Sequence, residues 1–133
     1  MTDFTMTRTL EQPYDATVAE VRERLGEQGF GVLTEIDVRA TLKTKLDVDV
    51  PSQVILGACR PELAHRAMTA VPSIAALLPC NVVVRAIDEA HTVVEMVDPD
   101  AMLSMVDDET LRAVARDARA RLTAALAALT GDS

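Results

Sequence analysis

Apolar and polar positions recur along this chain with two different periods, and each change of period marks an element. Phe4-Thr5-Met6-Thr7-Arg8 alternates every second residue, the spacing of a half-buried first strand. From Asp15 to Gln28 the period lengthens to a helical one, with Val18, Val21 and Leu25 on one face and Gly29 placed to end the helix. Phe30 to Ile36 reads as a second strand. Asp37 then caps a short helix that is expected to turn Val38, Leu42 and Leu46 inward. Gln53 to Ala58 is almost unbroken in its apolar character, which predicts a buried strand.

Pro61 suits the first position of the next helix, with Glu62 in its first turn and Leu63, Ala64, Ala67, Met68 and Val71 on the inner face. Pro72 stops that helix, and Ser73 to Leu78 predicts a further short helical turn. Val82 to Ile87 and Thr92 to Val97 form a hairpin across Asp88-Glu89-Ala90-His91. Asp107 or Asp108 caps a last helix that keeps Leu111, Val114, Ala115, Ala118, Leu122, Ala125 and Leu129 in register. The pattern predicts one α+β domain over residues 1–133: two layers, a mixed sheet of about five strands, and helices packed on one face.

Composition narrows the function classes. The 133 residues carry a formal net charge of -8, and a surface of that sign repels nucleic-acid phosphates. Phe4, Tyr14 and Phe30 are the only aromatics, too few for a base-stacking platform, so no nucleic-acid partner is expected. Met1-Thr2-Asp3-Phe4 lacks the basic start and apolar core of a signal peptide, and no apolar run approaches the length of a membrane span. The last helix shows an arginine-rich outer stripe but lacks the aromatic anchors of a membrane-surface helix. A cytoplasmic location without a membrane partner is therefore expected, and there the two cysteines stay reduced.

Those cysteines stand at junctions. Cys59 ends the strand Val54-Ile55-Leu56-Gly57-Ala58, just before the Pro61 helix, whose amides and dipole favour a thiolate. Cys80 follows Leu78-Pro79 at the mouth of the next strand, beside Asn81. Whether they meet depends on topology. A single right-handed crossover between the strands makes them parallel and holds the thiols roughly 20 Å apart. If the Ser73 to Leu78 turn carries the chain back, the strands are antiparallel and the thiols approach, which is the arrangement favoured here. The plainest alternative is that both simply fill space, as free cysteine often does.

The blocks Gly29 to Val38, Leu42 to Leu46, Val54 to Cys59, Leu78 to Val84 and Asp98 to Met102 resemble a bacterial and archaeal family, known only as domain of unknown function three hundred and two. The resemblance spans about residues 13–129. It implies a two-layer α+β domain, cytoplasmic and homodimeric, with no established activity. It also implies that the thiols belong to a subgroup, since other branches carry Leu-Pro-Leu where this chain has Leu78-Pro79-Cys80.

The candidate ligand-binding residues are Cys59, Cys80, Asn81 and Asp98, with Lys45 as an outlying one. Asn81 can donate to an oxyanion or thiolate. Asp98, before Pro99, can bind or can cap the following turn. Lys45, with Lys43 and Arg39, can hold an anion or can be an ordinary solvated face. No cofactor is implied, and His65 and His91 stand at no metal-ligand spacing, so no metal is expected. The sequence leaves open whether the protein is an enzyme. The reading it supports is a homodimeric module that binds a small ligand or partner near its strand ends. The alternatives are a thiol-based redox or sulfur-handling protein and a structural assembly domain without ligand.

Overall fold

The computed structural model describes residues 4–131; Met1 to Asp3, on which the signal-peptide expectation bears, and residues 132–133 lie outside the described residues. The chain runs β1 (Thr5–Leu10), α1 (Tyr14–Glu27), β2 (Gly31–Asp37), α2 (Val38–Leu46), β3 (Gln53–Cys59), α3 (Pro61–Ala70), a 3₁₀ turn (Pro72–Leu77), β4 (Cys80–Ala86), β5 (Thr92–Val97), α4 (Pro99–Leu103) and α5 (Glu109–Ala128). The five strands form one sheet in the order β1-β5-β4-β3-β2.

Every ladder in that sheet is antiparallel, so the α+β expectation holds while the expected mixed sheet does not. The reason lies between β3 and β4. The chain leaves β3 through α3, and the 3₁₀ turn at Pro72–Leu77 carries it back to the same end of the sheet. β4 then runs alongside β3 in the opposite sense, with Ala58 opposite Cys80 and Val54 opposite Val84.

Alternation sorts the strands into two faces. Val54, Leu56 and Ala58 of β3, with Cys80, Val82 and Val84 of β4 and Val94 and Met96 of β5, are buried against Val21 and Leu25 of α1 and Leu122 and Leu126 of α5. A second cluster joins Leu63 and Ala67 of α3, Ile74 and Leu103 to Leu111, Val114, Ala115 and Ala118, in the first half of α5. Each fully buried Leu or Val contributes roughly 1.5–3 kcal/mol, so α5, which serves both clusters, ties the helical layer together. Its predicted inner face is the observed one, and Asp108 is the cap, accepting from the Leu111 amide at 2.9 Å.

The predicted short helix α2 forms where expected, with Asp37 accepting from the Ala40 amide at 2.9 Å. It does not turn Val38, Leu42 and Leu46 into the core: none of its residues is buried and Leu46 is 65% exposed. The connection from Asp37 to Gln53 leaves the sheet at the end of the β2–β3 pair, where the helical layer offers it no cover.

The end of α5 is held from an unexpected quarter. Arg8 on β1 donates from Nη1 to the carbonyls of Leu126 (2.9 Å), Ala127 (3.2 Å) and Leu129 (2.9 Å), and from Nη2 to Gly131 (3.2 Å). Two of these carbonyls belong to the last turn of α5 and two to the residues just beyond it, at the negative pole of the helix dipole. Glu20 of α1 accepts the Thr130 amide at 2.8 Å. Burial raises the Glu20 carboxyl, but the bonds from Thr130, Arg24 and Gln12 prevail and hold it below its ordinary value.

Replacing Arg8 by Ala removes a charged donor from four carbonyls, so a loss of about 2–3 kcal/mol is expected in urea unfolding. Arg8→Lys should recover only part of this, because an ammonium lacks the planar fork. Equal stability of Arg8→Ala and the parent would refute the role of this clasp.

Candidate functional site

The mouth of the β3–β4 pair is shaped by a missing side chain. A Cβ on Gly57 would run into the hydroxyl of Thr34 on β2 and come within 2.8 Å of Cγ of Pro79. Glycine therefore lets Thr34 and Pro79 close over β3. Pro79, joined to Leu78 by a cis peptide, then delivers Cys80 into the ladder opposite Ala58.

Behind this mouth, between sheet and helices, lies an apolar cleft. The end of β3 contributes Cys59 and the start of β4 contributes Cys80. Leu63 and Ala67 come from α3, and Met102 and Leu103 from α4. The cleft is narrow and partly open to solvent, with room for a few water-sized groups. Arg60, the N-cap of α3, also borders the cleft and is the only charged residue that does so among the described residues. Its Nη1 pairs with Glu62 at 2.9 Å, while its Nε is buried without an acceptor. Gly29, at φ +83, permits this: a Cβ there would lie 2.9 Å from that Nε.

The antiparallel strands bring the two cysteines to the same end of the sheet, and an ionised Cys59 makes ionisation of Cys80 harder. Cys80 shares the core face with its cross-strand partner Ala58, and alternation turns Cys59, the next residue, toward the other face. Neither thiol is activated. Burial, with the charge of Cys59 behind it, pushes Cys80 up to about 11. Burial, then the nearby Glu62 carboxylate, raises Cys59 as well. The expectation that the α3 N-terminus favours a thiolate is therefore not met: loss of water and an adjacent carboxylate push Cys59 the other way.

The other candidates stand apart from this pair. Asn81 follows Cys80 on β4, is exposed, and borders a shallow groove with Phe4, Thr5, Leu77, Pro79 and Glu95. Asp98 caps α4, accepting from the Asp100 amide at 2.9 Å, and pairs with Arg119 at 3.2 Å. Lys45 sits on the uncovered α2 and does not line the cleft. The arginine stripe of α5 is largely neutralised, by Arg112–Asp107, Arg119–Asp98 and Arg121–Asp117. Met102 and Leu103 escaped the sequence reading as site residues. Their block, Asp98 to Met102, was visible, but only the packing of α4 on α5 brings it to the β3–β4 mouth.

Among the described residues no three His, Cys, Asp or Glu side chains converge as a metal site, and no helix is long and apolar enough to cross a membrane.

Residues 6–129 match the sequence profile described as domain of unknown function DUF302. In structure the chain is similar to an uncharacterised conserved DUF302 protein from Bacillus stearothermophilus, with a TM-score of 0.85 and 30% sequence identity. That match covers 95% of this chain and 98% of the other. No curated protein matches the sequence.

Two outcomes follow from the thiol and glycine environments. In pH-resolved alkylation of the reduced native protein, Cys59 should label with a midpoint above the free-thiol value of about 8.5. Cys80 should stay unlabelled until the pH nears 11 or the protein unfolds. A midpoint for either thiol below the free value would contradict this reading. Gly57→Ala should lower stability by about 2 kcal/mol or more, since backbone and side chains must both move, and urea titration measures it directly.

Proposed function

This chain belongs to the DUF302 family, and from its geometry we propose that it is a homodimeric binding module whose ligand site is the apolar cleft at the β3–β4 mouth. The observation that carries the reading is the cleft itself. It is a narrow, partly open space, apolar except for two cysteines and one guanidinium, and Arg60 at its border has a buried Nε that lacks an acceptor. Buried polar atoms are normally satisfied, so an unpartnered donor on a residue that borders the cleft supports a ligand that brings an acceptor. The narrow apolar opening suits a small, largely apolar group, free or at the tip of a partner's side chain.

The thiol-based alternative is weakened by the same geometry, because a nucleophilic or redox-active cysteine needs thiolate character and access. Both thiols here are displaced toward the neutral form.

The homodimer is supported by where apolar surface remains. Leu33 (66% exposed), Ile36 (49%), Leu46 (65%) and Val48 (41%) all fall within the segment from β2 through α2 to the following loop. Large apolar side chains gathered on one uncovered segment suit a protein–protein contact. A second copy is the partner that the family resemblance implies.

Light scattering on the purified protein should give twice 14.3 kDa, and Ile36→Lys with Leu46→Glu should give the monomer without loss of helix content. A monomeric parent removes the dimer from the reading. For the cleft, methyl-resolved NMR with one- to four-carbon thiols, sulfides and alcohols as probes should shift Ala58, Ala67 and Met102. Shifts that are absent, or scattered over the sheet's other face, would remove the cleft.

A further inference from the structure

The core packs α1 and α5 against the side of the sheet that carries Val54, Leu56 and Val82, and alternation turns the residues between them to the opposite face. On that face Ile36 of β2 lies across from Ile55 of β3, and Ile55 from Val83 of β4. Three apolar side chains thus stand in register on three neighbouring strands. Ile36 is 49% exposed, and Ile55 and Val83 are half-buried. We propose that a second copy of the chain docks on this open face, sheet against sheet. The proposal rests on the homodimer reading and names its interface.

Charge singles this face out. The chain carries a net charge of -8, so two copies repel on average. Among the described residues, the outward positions of the five strands hold only two charged side chains, Arg85 and Glu95. These pair with each other at 3.5 Å. Glu95 also accepts from the hydroxyls of Thr5 at 2.7 Å and Thr7 at 3.3 Å. A second copy therefore meets no net charge here, and the one carboxylate keeps its donors when water leaves.

Size is sufficient. Five strands about 4.8 Å apart and about 20 Å long make a face about 24 Å wide. Covering it in both copies removes on the order of 1,000 Å² from water, the area at which a specific protein contact begins. Two sheets that pack face to face interdigitate alternate side chains in this way. A two-fold axis sets the patch against itself, the symmetry of most homodimers. The exposed apolar side chains of the β2–α2 segment then divide: Ile36 belongs to the patch, whereas Leu46 lies on α2, outside the sheet.

The test is sedimentation velocity of the full-length protein over a concentration series. Monomer should pass to dimer, and added salt should tighten the dimer, because it screens the net repulsion. Val83→Lys sets an ammonium opposite Glu95, which keeps the free monomer satisfied. That variant and Ile55→Glu should each raise the dissociation constant about 30-fold or more, while Leu46→Glu leaves it nearly unchanged. Methyl-resolved NMR of the parent with a neutral soluble paramagnetic probe gives a reading that needs no variant to fold. The Ile36, Ile55 and Val83 methyls should be broadened in the diluted monomer and shielded in the dimer. A dimer that persists in folded Val83→Lys and Ile55→Glu, that salt loosens, or whose Ile55 and Val83 methyls stay open to the probe, overturns this interface. Where Leu46→Glu then gives the monomer, the homodimer stands on the β2–α2 segment alone. A parent that is monomeric at every concentration removes both readings.

Discussion

The antiparallel register of β3 on β4 is the constraint on which the rest of this structure depends. It sets Val54, Leu56 and Ala58 beside Val84, Val82 and Cys80 on one face, so both central strands present an unbroken apolar surface to the helices. Because side chains alternate with period two, a slip of one residue would turn that whole set to the opposite face. Gly57 pins the register at its open end. Thr34 and Pro79 occupy the volume its side chain would need, and no other residue of β3 leaves that space.

The helical layer answers this sheet with two clusters instead of one, and α5 belongs to both. A helix that spans two cores is sensitive to fraying at its far end, and that end is where Arg8 and Glu20 reach across from β1 and α1. The side chain of an edge strand thus completes the hydrogen bonding of the last helix. Segment α2 has no such anchorage. Its cap and the Lys43–Asp47 pair at 2.9 Å satisfy it locally, and its apolar residues stay outside the core.

The chemistry of the cleft follows from the same packing. Desolvation that protects the core also raises both thiols, so the feature that draws most notice in the sequence is chemically quiet toward electrophiles at neutral pH. What distinguishes the cleft is the combination of an apolar wall and a bordering guanidinium whose Nε is buried without an acceptor.

Most of this architecture was legible in the sequence, because periodicity and capping are local. The inner face of α5, the caps Asp37 and Asp108, Pro61 at the start of α3 and the β4–β5 hairpin all follow from spacings within a few residues. The sequence alone also identified the β3–β4 mouth as the place to look, from two cysteines at strand junctions. Tertiary structure decided what no local spacing encodes. It made the sheet wholly antiparallel through a 3₁₀ turn that reverses the chain, and it left α2 uncovered. It brought Met102 to the cleft at the β3–β4 mouth and, across more than a hundred residues, Arg8 to the end of α5. Whether the α3 dipole or burial governs Cys59 was likewise a question of which atoms surround it, and solvent exclusion is a property of the packed fold.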